Sequence, residues 1–144
     1  MNPTISANAA KVAALLALAG AYFFGATTLM GWFNTLYFPW MPYSGKSQTA
    51  VILLEHIPSG LAILVASALA GFLLLLIKPR RFAFGLFIAA PTAVIQLVDT
   101  LPVSFKTAGL ILFFASFFLF VLIPMLFGPA TFCWLTVRLA ALRR

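Results

Sequence analysis

Residues 12–33 contain no Asp, Glu, Lys, Arg or His, and neither do residues 58–77, 82–98 and 107–127. Four uncharged apolar stretches of this length constrain the fold more than any motif in the chain. About 20 apolar residues, at 1.5 Å each, match the roughly 30 Å hydrocarbon core of a bilayer. In that medium every backbone N–H and C=O must be paired inside the protein, so each stretch is expected to be a helix. The sequence therefore predicts an all-α polytopic membrane protein, a single four-helix transmembrane bundle of 144 residues with short loops.

Composition closes the alternatives. Apolar residues make up 64% of the chain and charged residues only 8%. Too few charges remain to cover a water-soluble surface, and a disordered chain would be polar and charge-rich. The net charge of +7 would suggest nucleic acid on a soluble domain, but beside membrane spans it reads as cytoplasmic cations. Cys133 is the only cysteine, which excludes an intrachain disulfide, a redox pair and a multi-thiolate zinc site.

Prolines and glycines set the expected boundaries. A helix from Ala50 to Ile77 would be about 42 Å long, too long for the hydrocarbon core unless tilted. Pro58 fits a first helical turn, so the second span is placed at 58–77 and residues 47–57 in a partly helical outer segment. Pro91 is expected to kink the third span. Gly128-Pro129 is expected to stop the fourth, leaving 130–144 as a short interfacial helix. There Trp134 would sit at headgroup level, and Arg138, Arg143 and Arg144 would contact lipid phosphates, as would Arg80 and Arg81 after the second span. Lys11 and Ala19-Gly20-Ala21 make a passable signal-peptide pattern, but the apolar run continues to Phe33, beyond a typical signal core.

Cation placement predicts orientation. With both termini inside, the cytoplasmic side holds Lys11, Lys78, Arg80, Arg81, Arg138, Arg143 and Arg144, and the outer side only Lys46 and Lys106. The bias favours N-in, C-in in a bacterial-type cytoplasmic (inner) membrane. Trp32, Tyr37, Trp40 and Tyr43 then form an outer aromatic belt.

The chemistry-bearing residues are few. Glu55 and Asp99 are the only acids and His56 the only histidine. All three fall at the outer ends of their spans, with Gln96 one turn from Asp99. Together they are a candidate polar site for an ion, a proton or a partner's charged group. The plainer reading is that the acids sit in headgroup water and pair with Lys46 and Lys106. Placing Glu55 and His56 inside a longer second helix would favour the binding site instead. No ionisable residue lies near the expected midplane, where proton pumps and ion-coupled carriers usually carry one. The hydroxyls at depth, Tyr22, Thr27, Thr28, Ser67, Thr92 and Ser116, are expected to bond their own helix carbonyls. Ser44-Gly45-Lys46-Ser47 lacks the earlier glycine of a phosphate loop, Leu54-Glu55-His56 lacks the second histidine of a zinc protease, and no nucleophile elbow occurs. No catalytic residues, metal site or cofactor are expected.

Two small-residue stripes, Ala13-Ala17-Ala21-Gly25 and Ala62-Ala66-Ala70, are expected to let helices approach closely, inside the protomer or against a partner. The phenylalanines of the fourth span (Phe113, Phe114, Phe117, Phe118, Phe120) read as lipid-facing filler, with an acyl-chain groove as the alternative. The functional expectation is a non-catalytic membrane protein acting through protein contacts, as an accessory subunit or a toxin-immunity-type partner, in contact with lipids and another membrane protein or a second copy of itself. The second expectation is a small oligomeric channel or transporter with an outward-facing acidic site. A weaker third is an enzyme or carrier acting on lipid.

Overall fold

A computed structural model describes residues 3–40, 48–77, 82–100 and 109–142. The chain is all helical over these residues: α1 (Pro3–Tyr37), a 3-10 turn (Phe38–Trp40), α2 (Gln48–Leu76), α3 (Phe82–Thr100), α4 (Gly109–Phe117), a π segment (Phe118–Leu122) and α5 (Ile123–Leu142). Four helices are long and apolar enough to cross a membrane, over Ala7–Tyr37, Leu54–Leu76, Phe82–Thr100 and Leu110–Leu142. The last of these is α4, the π segment and α5 in one continuous rod. Lys46, Lys106, Tyr43, Lys78, Arg80, Arg81, Arg143 and Arg144 lie outside the described residues.

The four rods alternate in direction, so the start of α1 and the end of α5 share one end of the bundle. α1 packs on α2 and α3, and α5 also packs on α2 and α3, giving a ring in the order α1–α2–α5–α3. The core of that ring is built from Leu18, Tyr22 and Ala26 of α1, Ala62, Ile63, Ala66 and Leu74 of α2, Ile88 and Ala89 of α3, and Phe117, Val121 and Met125 of the fourth rod.

Two boundary expectations are corrected. α2 does not begin at Pro58; it begins at Gln48 and carries Pro58, fully buried, within it. Proline deprives the Leu54 carbonyl of its amide donor. The turns on either side are held by tertiary contacts: Ser59 donates to Asn34 Oδ1 of α1 at 3.4 Å, and His56 packs on α4. Nor does Gly128-Pro129 stop the fourth span, since α5 runs through both to Leu142. No separate interfacial helix from residue 130 is therefore present among the described residues; Trp134 and Arg138 belong to α5.

Pro129 is accommodated because its cost is covered from across the ring. Having no N–H, it leaves the Met125 carbonyl without its helical donor. Tyr22 of α1 donates its hydroxyl to that carbonyl at 2.9 Å. The single Tyr22 proton is thereby used, so the 3.0 Å contact between Tyr22 and Ser67 hydroxyls runs from Ser67 to Tyr22. Gly128 completes the junction: a Cβ there would lie 2.3 Å from Ser67 Oγ, so only glycine lets α5 seat against α2 at this level.

Pro124 acts in a similar way. It cannot donate to the Phe120 carbonyl, and the preceding residues adopt the wider π register, with the Ile123 N–H bonded to Phe118 O. Local π adjustment is one way an apolar helix re-pairs groups freed by proline. A Cβ on Gly60 would stand 2.9 Å from Phe120 O, so glycine again permits the approach of α2, and the Cα–H in that direction is a weak donor to this carbonyl. Gly85 against Ala130 and Gly71 against Pro129 and Cys133 extend the close seam along α5, each with room for no Cβ.

The two small-residue stripes behave differently. Ala62, Ala66 and Ala70 are buried inside the ring. Ala13, Ala17 and Ala21 are exposed and Gly25 is half-buried, so α1 does not pack into its own bundle along this stripe. It uses the adjacent face of Leu15, Leu18, Ala19, Tyr22, Ala26 and Met30. The larger side chains there fill the ring, which alanines at positions 13, 17 and 21 would leave empty. Among the phenylalanines, Phe117 is buried, Phe113 and Phe114 half-buried, and Phe118 and Phe120 exposed.

Candidate functional site

At the end of the bundle opposite the described termini, α1, α2, α3 and α4 part to form a cleft of about 250 Å³, lined by Glu55, His56, Ser59, Gln96 and Thr100 together with Met30, Phe38, Phe113, Phe117 and Val121. Helical spacing puts these residues on common faces. His56 and Ser59 are three apart on α2, Gln96 and Thr100 four apart on α3, and Phe113 and Phe117 four apart on α4. The cleft exists because α2 continues past Pro58; a helix starting at Pro58 would hold neither Glu55 nor His56.

The structure brings Glu55, His56 and Gln96 together. Asp99 does not join them: it is exposed on α3 and does not line the cleft. Ser59, Thr100, Met30 and Phe38 were not singled out by sequence, and Phe113 and Phe117 were read there as lipid-facing filler or an acyl-chain groove rather than as part of a polar site.

His56 is only 6% exposed. Its ring meets Phe113 edge-on at 4.9 Å and Phe117 at 6.0 Å, and its Nδ1 lies 3.4 Å from Ser116 Oγ. Ser116 donates its own proton to the Phe113 carbonyl at 2.9 Å, so the histidine is the donor in the His56–Ser116 pair. A serine activated for nucleophilic attack would hand its proton to the imidazole at about 2.6–3.2 Å. This pair is longer, runs the other way and is buried, and it fits a structural role. Among the described residues no group of three His, Cys, Asp or Glu side chains could hold a metal ion.

The two hydroxyl protons at the cleft are committed. Ser59 donates to Asn34, and Thr100 donates to the Gln96 carbonyl at 2.7 Å. Their oxygens keep lone pairs available, beside the Glu55 carboxylate. The described cations, Lys11 and Arg138, sit at the far end. Arg138 lies 4.9 Å above the Trp134 ring and, like it, is exposed.

The hydroxyls expected to bond their own helices divide here. Thr27 bonds its own helix at Phe23 O, 2.8 Å away. Tyr22 and Ser67 instead bond between helices, because Pro129 leaves a carbonyl to be satisfied. Thr92 Oγ1 is buried with no hydrogen-bond partner.

These features define the class: an all-helical protein with four helices long and apolar enough to cross a membrane, and a polar, aromatic-walled cleft at one end of the bundle. Compared with protein-family models, curated proteins and solved structures, the chain matches none.

Proposed function

We propose that this is a small, non-catalytic integral membrane protein that works through contacts with another membrane protein, as an accessory subunit of a membrane assembly or as a protective partner of the toxin-immunity kind. The observation that carries this reading is the spare face of α1. Ala13, Ala17 and Ala21 are exposed, and a Cβ on Gly20 or Gly25 would meet nothing within 4 Å. Glycine in a helix costs about 1 kcal/mol relative to alanine. At Gly60, Gly71, Gly85 and Gly128 the bundle recovers that cost through close packing, whereas at Gly20 and Gly25 it does not. An adjoining apolar groove of about 160 Å³, lined by Ala21, Gly25, Ala66 and Ala70 among others, offers a partner helix the close approach that small residues favour.

A photo-crosslinking residue at position 17, with one at the exposed Val94 of α3 as control, tests the reading after purification in mild detergent. A discrete adduct from position 17 alone is expected. An isolated monomer with no adduct counts against the proposal.

The cation bias supports N-in, C-in in a bacterial-type inner membrane, with Trp134 and Arg138 at the cytoplasmic headgroups. Asn8→Cys in a Cys133→Ser background should react with an impermeant thiol reagent only after the membrane is opened. Reaction in intact cells reverses the orientation.

The second reading, a small oligomeric channel or transporter, draws on the convergence of Glu55, His56 and Gln96. Against a path through the protomer stand Ile63, Thr92 and Met125, fully buried one to three turns below the cleft. Ion flux unchanged by Glu55→Gln in reconstituted vesicles disposes of this reading.

A further inference from the structure

We propose that the rim cleft is a binding site for an organic ammonium group. The argument rests on what the cleft presents. Its one acidic group is the half-buried Glu55 side chain. The Ser59 and Thr100 hydroxyl protons are used inside the protein, on Asn34 and the Gln96 carbonyl, so these oxygens face a ligand as acceptors. The Gln96 amide, whose oxygen can also accept, the His56 ring, three phenyl rings (Phe38, Phe113 and Phe117) and the Met30 and Val121 side chains complete the wall. A carboxylate, acceptor oxygens and aromatic rings together select a positively charged donor with an apolar body, because the ring faces attract a cation within about 6 Å.

Other ligand classes fit less well. An anion would meet the Glu55 carboxylate and the aromatic wall. Calcium or magnesium needs six or more oxygen ligands and zinc three or four His, Cys, Asp or Glu side chains, of which the described wall offers only Glu55 and His56. At about 250 Å³ the cleft falls below the roughly 300 Å³ at which drug-sized pockets begin, which suits a headgroup-sized group.

The cleft also opens at the right depth for a lipid headgroup. Glu55 is the second residue of the apolar stretch Leu54–Leu76, and Thr100 is the last of Phe82–Thr100, so the site lies where two spans end. An ethanolamine or choline headgroup and a free amine carry the same ammonium, and the experiment separates them.

Detergent-solubilised protein is mixed with phosphatidylethanolamine, phosphatidylcholine or phosphatidylglycerol, and lipid retention is read by native mass spectrometry. Each lipid is compared between wild type and Glu55→Gln, with Asp99→Asn, outside the cleft, as control. Retention of the two ammonium lipids is expected to fall about tenfold in Glu55→Gln, the scale of one charge-assisted contact. Phosphatidylglycerol, held by cations elsewhere, should not fall. Phe113→Leu should weaken the ammonium lipids a few-fold through the lost ring face, and it carries the same comparison if Glu55→Gln does not fold. Displacement of the bound lipid by millimolar tetramethylammonium assigns the site to a soluble amine; resistance to it assigns the site to a lipid headgroup. Ammonium-lipid retention that is unchanged in both variants, or phosphatidylglycerol loss equal to theirs, overturns the proposal.

Discussion

The Tyr22 hydroxyl should stabilise this protein chiefly because of a proline more than 100 positions away. Tyr22 donates to the Met125 carbonyl at 2.9 Å, and that carbonyl lacks its own helical donor because residue 129 is proline. Tyr22→Phe keeps the ring and its packing but leaves the carbonyl unpaired in a buried site. The Ser67 proton also loses its acceptor, though Ser67 can turn to its own helix carbonyl at modest cost. An unsatisfied buried polar group costs about 1–3 kcal/mol, and interhelical hydrogen bonds in membrane proteins average near 0.6 with a maximum of about 1.7. For this carbonyl, with no alternative amide, a loss of about 1–2 kcal/mol is expected. Pro129→Ala supplies the missing N–H at the i+4 position. In that background Tyr22→Phe should cost about 1 kcal/mol less, so the two substitutions couple. The assay is reversible unfolding in mixed micelles by denaturing-detergent titration, applied to wild type, both single variants and the double. Additivity within about 0.5 kcal/mol, the usual scatter for independent sites, would refute the reasoning even if both single variants were unstable.

Two further substitutions probe the bundle by the same titration. Thr92→Val replaces a buried hydroxyl without a partner by a methyl of similar size, and should leave stability unchanged or raise it by up to about 1 kcal/mol; a clear loss would mean the hydroxyl is satisfied in the membrane. Gly85→Ala drives a Cβ to 2.5 Å from the Ala130 backbone and should cost about 1–3 kcal/mol, whereas Gly20→Ala, with open space around it, should be neutral or gain up to about 1 kcal/mol. Equal effects at the two glycines would contradict the packing described.

The limits of sequence reading show at particular residues. The four apolar stretches were legible because hydrocarbon imposes its length and polarity limits on each segment separately. Glu55, His56 and Gln96 stood out through rarity alone, since a polar residue at the edge of an apolar run is conspicuous. Their convergence was not legible, nor was the separation of Asp99, because the spacing along one helix says nothing about which face meets a neighbour. Pro58 and Pro129 misled for a definite reason. Proline's local preference is to start or end a helix, and at Pro129 that preference is overcome by a hydroxyl from a helix far away in sequence. The α1 stripe of Ala13, Ala17 and Ala21 left two uses open, inside the protomer or against a partner, because small residues permit close packing but do not specify which surface takes advantage of it.

The amino-acid order alone determined the class and the number of rods, because transfer into lipid is settled segment by segment from apolar length and absence of charge. The tertiary structure decided where the rods are interrupted, which faces meet and which polar groups share a cleft. Those outcomes depend on pairing between groups distant in the chain, and a carbonyl orphaned by proline is stable only once a particular partner stands beside it.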